Sequence, residues 1–152
     1  MLNPSRDLAT AFERYPRPSL REFLETSAFD RADKEPAKWA TDFLQREVRP
    51  NDANEIETVL YVLSPIGFAY LFPIWIGETL NGNWDPDCNI YTTSDYVLQS
   101  AHWDRLSEVM TRRYSKTQIA SLAAAMRAAA RCVHFENVAE LMNNRAANLL
   151  AS

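Results

Sequence analysis

Apolar residues recur along this chain at helical rather than strand spacing. Ile119, Leu122, Ala123, Met126, Ala130 and Val133 keep a period near 3.6 over about four turns. Alanine, the strongest helix former, fills the positions between. Ser115 and Gln118 precede this run as an S-x-x-Q capping box, in which each residue satisfies the other's amide. A last helix is expected from about Glu136 to Leu150, with Val138, Leu141, Met142 and Leu149 inward. Upstream, Ile56, Val59, Leu60 and Leu63 follow the i, i+3, i+4, i+7 rule, although Val59–Leu63 is also strand-like in composition. Ser64-Pro65 then pairs a good N-cap with a proline at the first helical position. Phe68, Leu71, Phe72 and Trp75 mark the buried face of the helix it opens. Pro73 is expected to kink that helix, because it has no amide hydrogen.

The N-terminal part has the same punctuation. Asp7 or Ser5 is expected to cap a helix over Leu8–Tyr15, which Pro16 and Pro18 end. Ser19 and Glu22 form an S-x-x-E box before Leu20, Phe23 and Leu24, placed on one side. Pro36 opens a helix carrying Trp39, Phe43 and Leu44, and Pro50-Asn51-Asp52 is a turn. Asn81–Thr93 reads as the main loop. Ser94 or Asp95 starts a short helix with Tyr96, Val97 and Leu98, and Trp103 or Asp104 starts another with Leu106, Val109 and Met110 inward. The expected fold is all-α, a single irregular bundle of about seven or eight helices forming one domain over residues 1–152.

Length agrees with one domain: 152 residues bury enough surface to fold without a metal or disulfide staple. Three glycines leave no glycine-rich phosphate loop. The longest apolar stretch, Ile66–Ile76, is far short of the ~20 residues that span a bilayer. It reads as the most buried segment of a core. Residues 1–18 have no apolar run of the secretory kind. Cys88 and Cys132 make no disulfide framework and suit a reducing compartment, so a cytoplasmic location is expected.

Charge changes the picture more. The formal net charge is −4, but it is unevenly spread. Residues 51–100 hold no Lys or Arg and seven acids: Asp52, Glu55, Glu57, Glu78, Asp85, Asp87 and Asp95. No base occurs between Arg49 and Arg105. Solvated helix faces normally mix signs. Either these acids pair in space with bases elsewhere in the chain, or they form a surface for a basic partner. Phosphates would be repelled by such a surface.

One block resembles a known family. Leu63-Ser64-Pro65-Ile66-Gly67-Phe68-Ala69-Tyr70-Leu71-Phe72-Pro73 is similar to the central motif of a family of small bacterial domains of unknown function, L-[ST]-P-x-[AG]-F-x-Y-x-L-P. Phe72 stands where the family more often has Leu. Trp39 fits the family's upstream tryptophan, and Tyr114–Gln118 is similar to its L-[ST]-x-x-Q helix start. The resemblance covers about residues 30–130. It implies a cytosolic, mostly helical domain and assigns no reaction. The residues themselves read as structural: Ser64 caps, Pro65 opens the helix, Gly67 allows close packing, Phe68 and Leu71 bury, and Pro73 bends.

Candidate chemistry is sparse. His102, His134, Cys88 and Cys132 lack the spacing of a zinc site, and Cys132 is expected to be a small buried hydrophobe. Asn81–Asn89 alternates oxygen side chains like an EF-hand loop. Pro86 stands where that loop needs Gly, and Thr92 where it needs a bidentate Glu. A Cys–His pair would place Cys88 among carboxylates that suppress its thiolate. Glu55 with Glu57, or Asp85 with Asp87, have a spacing of two, which suits a loop rather than one helix face. Arg105, Arg112, Arg113 and Lys116 are a thin basic patch in an acidic chain, better explained by pairing with the acidic third than by nucleic acid. Trp84, among Asn83, Asp85 and Asp87, has the composition of a binding hot spot or of a plug folded onto the core.

These readings converge on a protein-binding module rather than an enzyme. Its most concrete form is a cytosolic immunity- or antitoxin-type protein that neutralises a basic toxin or effector. The partner-binding residues are Asp52, Glu55, Glu57, Glu78, Trp84, Asp85, Asp87 and Asp95. No catalytic residue, metal ligand or cofactor is assigned, and neither a membrane nor a nucleic acid is expected as partner. The alternatives are a small hydrolase-like enzyme without a recognisable motif, and a homodimeric structural or adaptor domain joined partly through the Ile66–Trp75 face.

Overall fold

The computed structural model of the chain describes residues 3–24, 60, 63–81, 98–133 and 135–152. Six α-helices occur among them, and no strand: α1 (Pro4–Phe12), α2 (Leu20–Leu24), α3 (Pro65–Leu80), α4 (Ser100–Arg113), α5 (Lys116–Ala130) and α6 (Glu136–Ala151). The all-α class is therefore as expected. The helix expected after Pro36 and most of those expected near residues 56 and 96 lie outside the described residues. Leu60 is in a turn and Leu63 precedes α3, so the helix expected through Leu63 does not reach it. Leu98 is in a bend rather than a helix.

α3 is the apolar centre. Phe68, Ala69, Leu71, Phe72, Trp75 and Ile76 are fully buried, and α1, α2, α4 and α5 pack around it. Phe72 stacks on Phe68 with ring centroids 4.8 Å apart, and on Trp75 at 5.9 Å. Trp103 of α4 meets Phe72 edge-on at 6.0 Å. α5 and α6 form the largest packing contact, through alanines and Met126, Met142 and Leu149.

The start of α3 is a joint with α2. Ser64 is buried, and its Oγ accepts from the Gly67 amide at 3.1 Å, as the N-cap reading expects. The same hydroxyl donates to the Glu22 carbonyl, and the Ser64 amide donates to the Phe23 carbonyl at 2.7 Å. One residue thus serves a helix start and two carbonyls that a short helix leaves open at its end. The Ser19–Glu22 box closes the other end of α2: the Ser19 amide donates to Glu22 Oε1 at 3.0 Å. This hydrogen bond is the main reason the Glu22 carboxyl is held below its usual range. Of the residues expected on one side of α2, Phe23 is buried and Leu20 is 36% exposed.

Gly67 has a specific reason to be glycine. A Cβ there would lie 2.7 Å from Phe23 Cδ1 and 3.1 Å from the Phe23 backbone. At Gly77, on the same helix, the nearest atom would be Leu8 Cδ2 at 3.8 Å, an ordinary contact. Gly67→Ala is therefore expected to be less stable than Gly77→Ala by about 1–3 kcal/mol. Urea unfolding of the two variants side by side measures this. Equal midpoints would show that the α2–α3 joint yields without cost.

Pro73 does not interrupt α3, which continues to Leu80. The missing amide would have bonded the carbonyl of Ala69, four residues back. That carbonyl accepts instead from the buried Tyr114 hydroxyl at the end of α4. A neighbouring helix thus supplies the partner that the proline withholds.

Other boundaries also move. α1 begins earlier than expected: Asn3 is the N-cap, accepting from the Arg6 amide at 3.2 Å, with Pro4 at the first position. α4 begins at Ser100 after Gln99, whose side chain makes no cap bond. The Ser115–Gln118 box is present, and Gln118 Nε2 also donates to the Ala11 carbonyl at 3.1 Å, tying α5 to α1. α5 stops at Ala130, so Cys132 falls in the following turn and is exposed, not buried. Its Sγ lies 3.5 Å from the Ala128 carbonyl.

Candidate functional site

Of the eight residues expected to bind a partner, Glu78 alone is among the described ones. Asp52, Glu55, Glu57, Trp84, Asp85, Asp87 and Asp95 lie outside them, as do Trp39, Cys88 and His134. Glu78 is on the last turn of α3, half-buried. It borders an open groove of about 270 Å³ between α1 and α3. Leu8, Phe12, Pro73 and Ile74 supply apolar walls. Gly77, having no side chain, leaves room beside Leu8. One end of the groove is fixed by Ser5 Oγ donating to Asn81 Oδ1 at 2.7 Å. Asn81 is the first position of the EF-hand-like stretch, and its side-chain oxygen is used here to hold α1 against α3. Among the described residues, no three His, Cys, Asp or Glu come together as a metal site. No described helix is long and apolar enough to cross a membrane.

A second surface was not legible as a unit. The connection from α1 to α2 carries Tyr15 and Arg17 onto α3 and α4. Tyr15 stacks on Tyr70 at 6.4 Å and meets Tyr114 edge-on at 5.5 Å. Phe12 meets Tyr114 at 4.8 Å, and Phe23 meets Tyr70 at 5.8 Å. The Arg17 guanidinium lies 5.6 Å from the Phe23 ring centre and 5.8 Å from that of Tyr70. Burial raises the pKa of the Tyr15 phenol, opposed by the adjacent Arg113 cation. Burial raises that of Tyr114 well above its usual value, with Tyr15 adding to it. The Tyr114 hydroxyl is spent on the Ala69 carbonyl.

Beside this cluster, Ile66, Val109, Arg112 and Arg113 line a half-open cavity of about 280 Å³. Both arginines are exposed, and both aliphatic side chains are half-buried. The basic patch read from sequence grouped Arg105, Arg112, Arg113 and Lys116. The cavity instead joins Arg112 to Arg113 and to a residue of α3, a neighbourhood created by α3–α4 packing that spacing cannot reveal.

Comparison of the chain with protein-family models, with curated proteins and with solved structures found no match in any of the three.

Proposed function

We propose that this protein is a binding module for a basic protein partner, most concretely a cytoplasmic immunity- or antitoxin-type protein that neutralises a basic toxin or effector. The observation that carries the reading is the run from Asn51 to Ser100, with seven acids and no Lys or Arg. α3 lies inside that run and is core, so Glu78 is its one charge. The remaining six acids belong to the segments on either side of it. Glu78 supplies a carboxylate at the edge of an apolar groove, and Trp84, six positions later in the sequence, is the proposed aromatic anchor. Membership in the family of small bacterial domains is proposed on the Leu63–Pro73 motif.

The test is capture of partners from a lysate at low and moderate salt, followed by affinity measurement on the purified pair. Asp85→Lys with Asp87→Lys is expected to weaken binding about tenfold or more, and added salt to weaken the unmodified pair. Affinity that ignores both changes would sink the acidic-surface reading.

A further inference from the structure

We propose that the cavity formed by Ile66, Val109, Arg112 and Arg113 is a second docking site, of opposite character, for an acidic peptide segment with an aliphatic residue beside its carboxylates. It is separate from the groove at Glu78 and does not depend on the acidic-surface reading.

Two features select this ligand. The rim is cationic: Arg112 and Arg113 line the cavity, and no carboxylate does among the described residues. Guanidinium groups bind carboxylates through paired, charge-assisted hydrogen bonds. The floor is aliphatic: Ile66 and Val109 are half-buried and still face the cavity. A volume of about 280 Å³ is at the lower limit of small-molecule sites, roughly 300–1,000 Å³. It suits one aliphatic side chain better than a cofactor. The surroundings extend the same chemistry. Tyr70 is one turn from Ile66 on α3, so the two share a face. Arg17 lies over the Tyr70 ring at 5.8 Å, adding a third cation along the path of an extended segment. Glu22 is the carboxylate whose charge interacts with Arg113, and it is exposed. It tempers Arg113 and leaves Arg112 as the stronger anchor.

A nucleic acid would also meet the cations, but it has no aliphatic group for the Ile66–Val109 floor. The peptide is therefore the better fit.

The experiment uses the full chain and three fluorescent peptides: acetyl-Glu-Ile-Glu-amide, acetyl-Glu-Gly-Glu-amide and acetyl-Gln-Ile-Gln-amide. Anisotropy is read at about 50 and 300 mM salt, bracketing a fall in Debye length from about 14 to about 6 Å. The Glu-Ile-Glu peptide is expected to bind saturably. It should bind about tenfold tighter than Glu-Gly-Glu, from burial of the aliphatic side chain, and should weaken as salt rises. Arg112→Gln is expected to reduce its binding about fivefold or more, whereas Asp85→Lys with Asp87→Lys leaves it in place. Arg112 is exposed, so the variant tests binding rather than folding, and an unchanged melting temperature confirms this. Arg113 is a less clean target, because it also neighbours Tyr15 and Glu22. Equal binding of the Ile and Gly peptides, indifference to Arg112→Gln, or tighter binding of a single-stranded oligonucleotide than of any peptide would overturn the proposal.

Discussion

Tyr114→Phe is expected to destabilise the protein by about 1–3 kcal/mol, a fall in Tm of roughly 2–12 °C, although it removes a single oxygen. The Tyr114 hydroxyl donates to the Ala69 carbonyl, inside a buried helix, at the place where Pro73 offers no amide. Without the phenol, that carbonyl has neither a backbone partner nor water. Pro73→Ala restores an amide at the same spot. The cost of Tyr114→Phe should therefore shrink in the Pro73→Ala background, with a coupling of about 1 kcal/mol or more in a double-mutant cycle. Equal costs in both backgrounds would show that the two residues act independently. A pH profile reads the same contact. The phenol is held protonated in the folded state and ionises near pH 10 in the unfolded chain. Below that pH both states keep the proton and stability is unaffected. Above it the unfolded state loses its proton first, so stability falls as pH rises. That alkaline loss should be shallower in Tyr114→Phe, with Tyr15 left to supply the remainder.

The Pro73–Tyr114 pair also shows what kind of structure the sequence reveals. Boundaries set by neighbours in the chain are legible. The Ser19–Glu22 and Ser115–Gln118 boxes form as written, and Ser64-Pro65 opens α3. Asn3-Pro4 has the same cap-then-proline form and opens α1, although Ser5 and Asp7 compete for the role on composition. Boundaries set from a distance are not legible. Gln99 makes no cap bond, and the residue before it is held by Arg145 Nε, which donates to the Leu98 carbonyl at 2.7 Å from α6. The 3.6-residue period extends beyond α5 to Val133, which is buried, yet the helix ends at Ala130 and leaves Cys132 exposed. Periodicity reports burial, and burial continues after the hydrogen-bonded ladder has stopped.

The candidate site divides in the same way. Composition alone exposes the base-free run, but part of that run has a structural cause. A helix packed on several sides has no use for Lys or Arg, and α3 occupies sixteen of its positions. The acids outside α3, and Glu78 at its end, are the part of the run that this cause does not explain. The Arg112–Arg113 cavity leaves no such trace. Its aliphatic residues come from two helices, and one of them, Ile66, sits in a motif that reads as core.

Phe72→Ala is expected to be the most damaging single truncation, at about 3–5 kcal/mol. That is a large share of the roughly 5–15 kcal/mol that holds a domain together. Phe72 is fully buried and touches three aromatic rings, Phe68, Trp75 and Trp103, so its loss opens a void that rigid neighbours cannot fill. The variant also tests the role of the Ile66–Trp75 segment. Phe68, Leu71, Phe72 and Trp75 are enclosed within one chain, while Ile66, Tyr70 and Ile74 stay partly exposed. If the segment serves the chain's own core, the unfolding midpoint of Phe72→Ala falls by the same amount at every protein concentration. If it serves chiefly as a joint between two copies, the loss appears as a midpoint that depends on concentration and as a lower mass in solution. Urea unfolding over a hundredfold concentration range separates these outcomes, and the closed aromatic packing around Phe72 predicts the first.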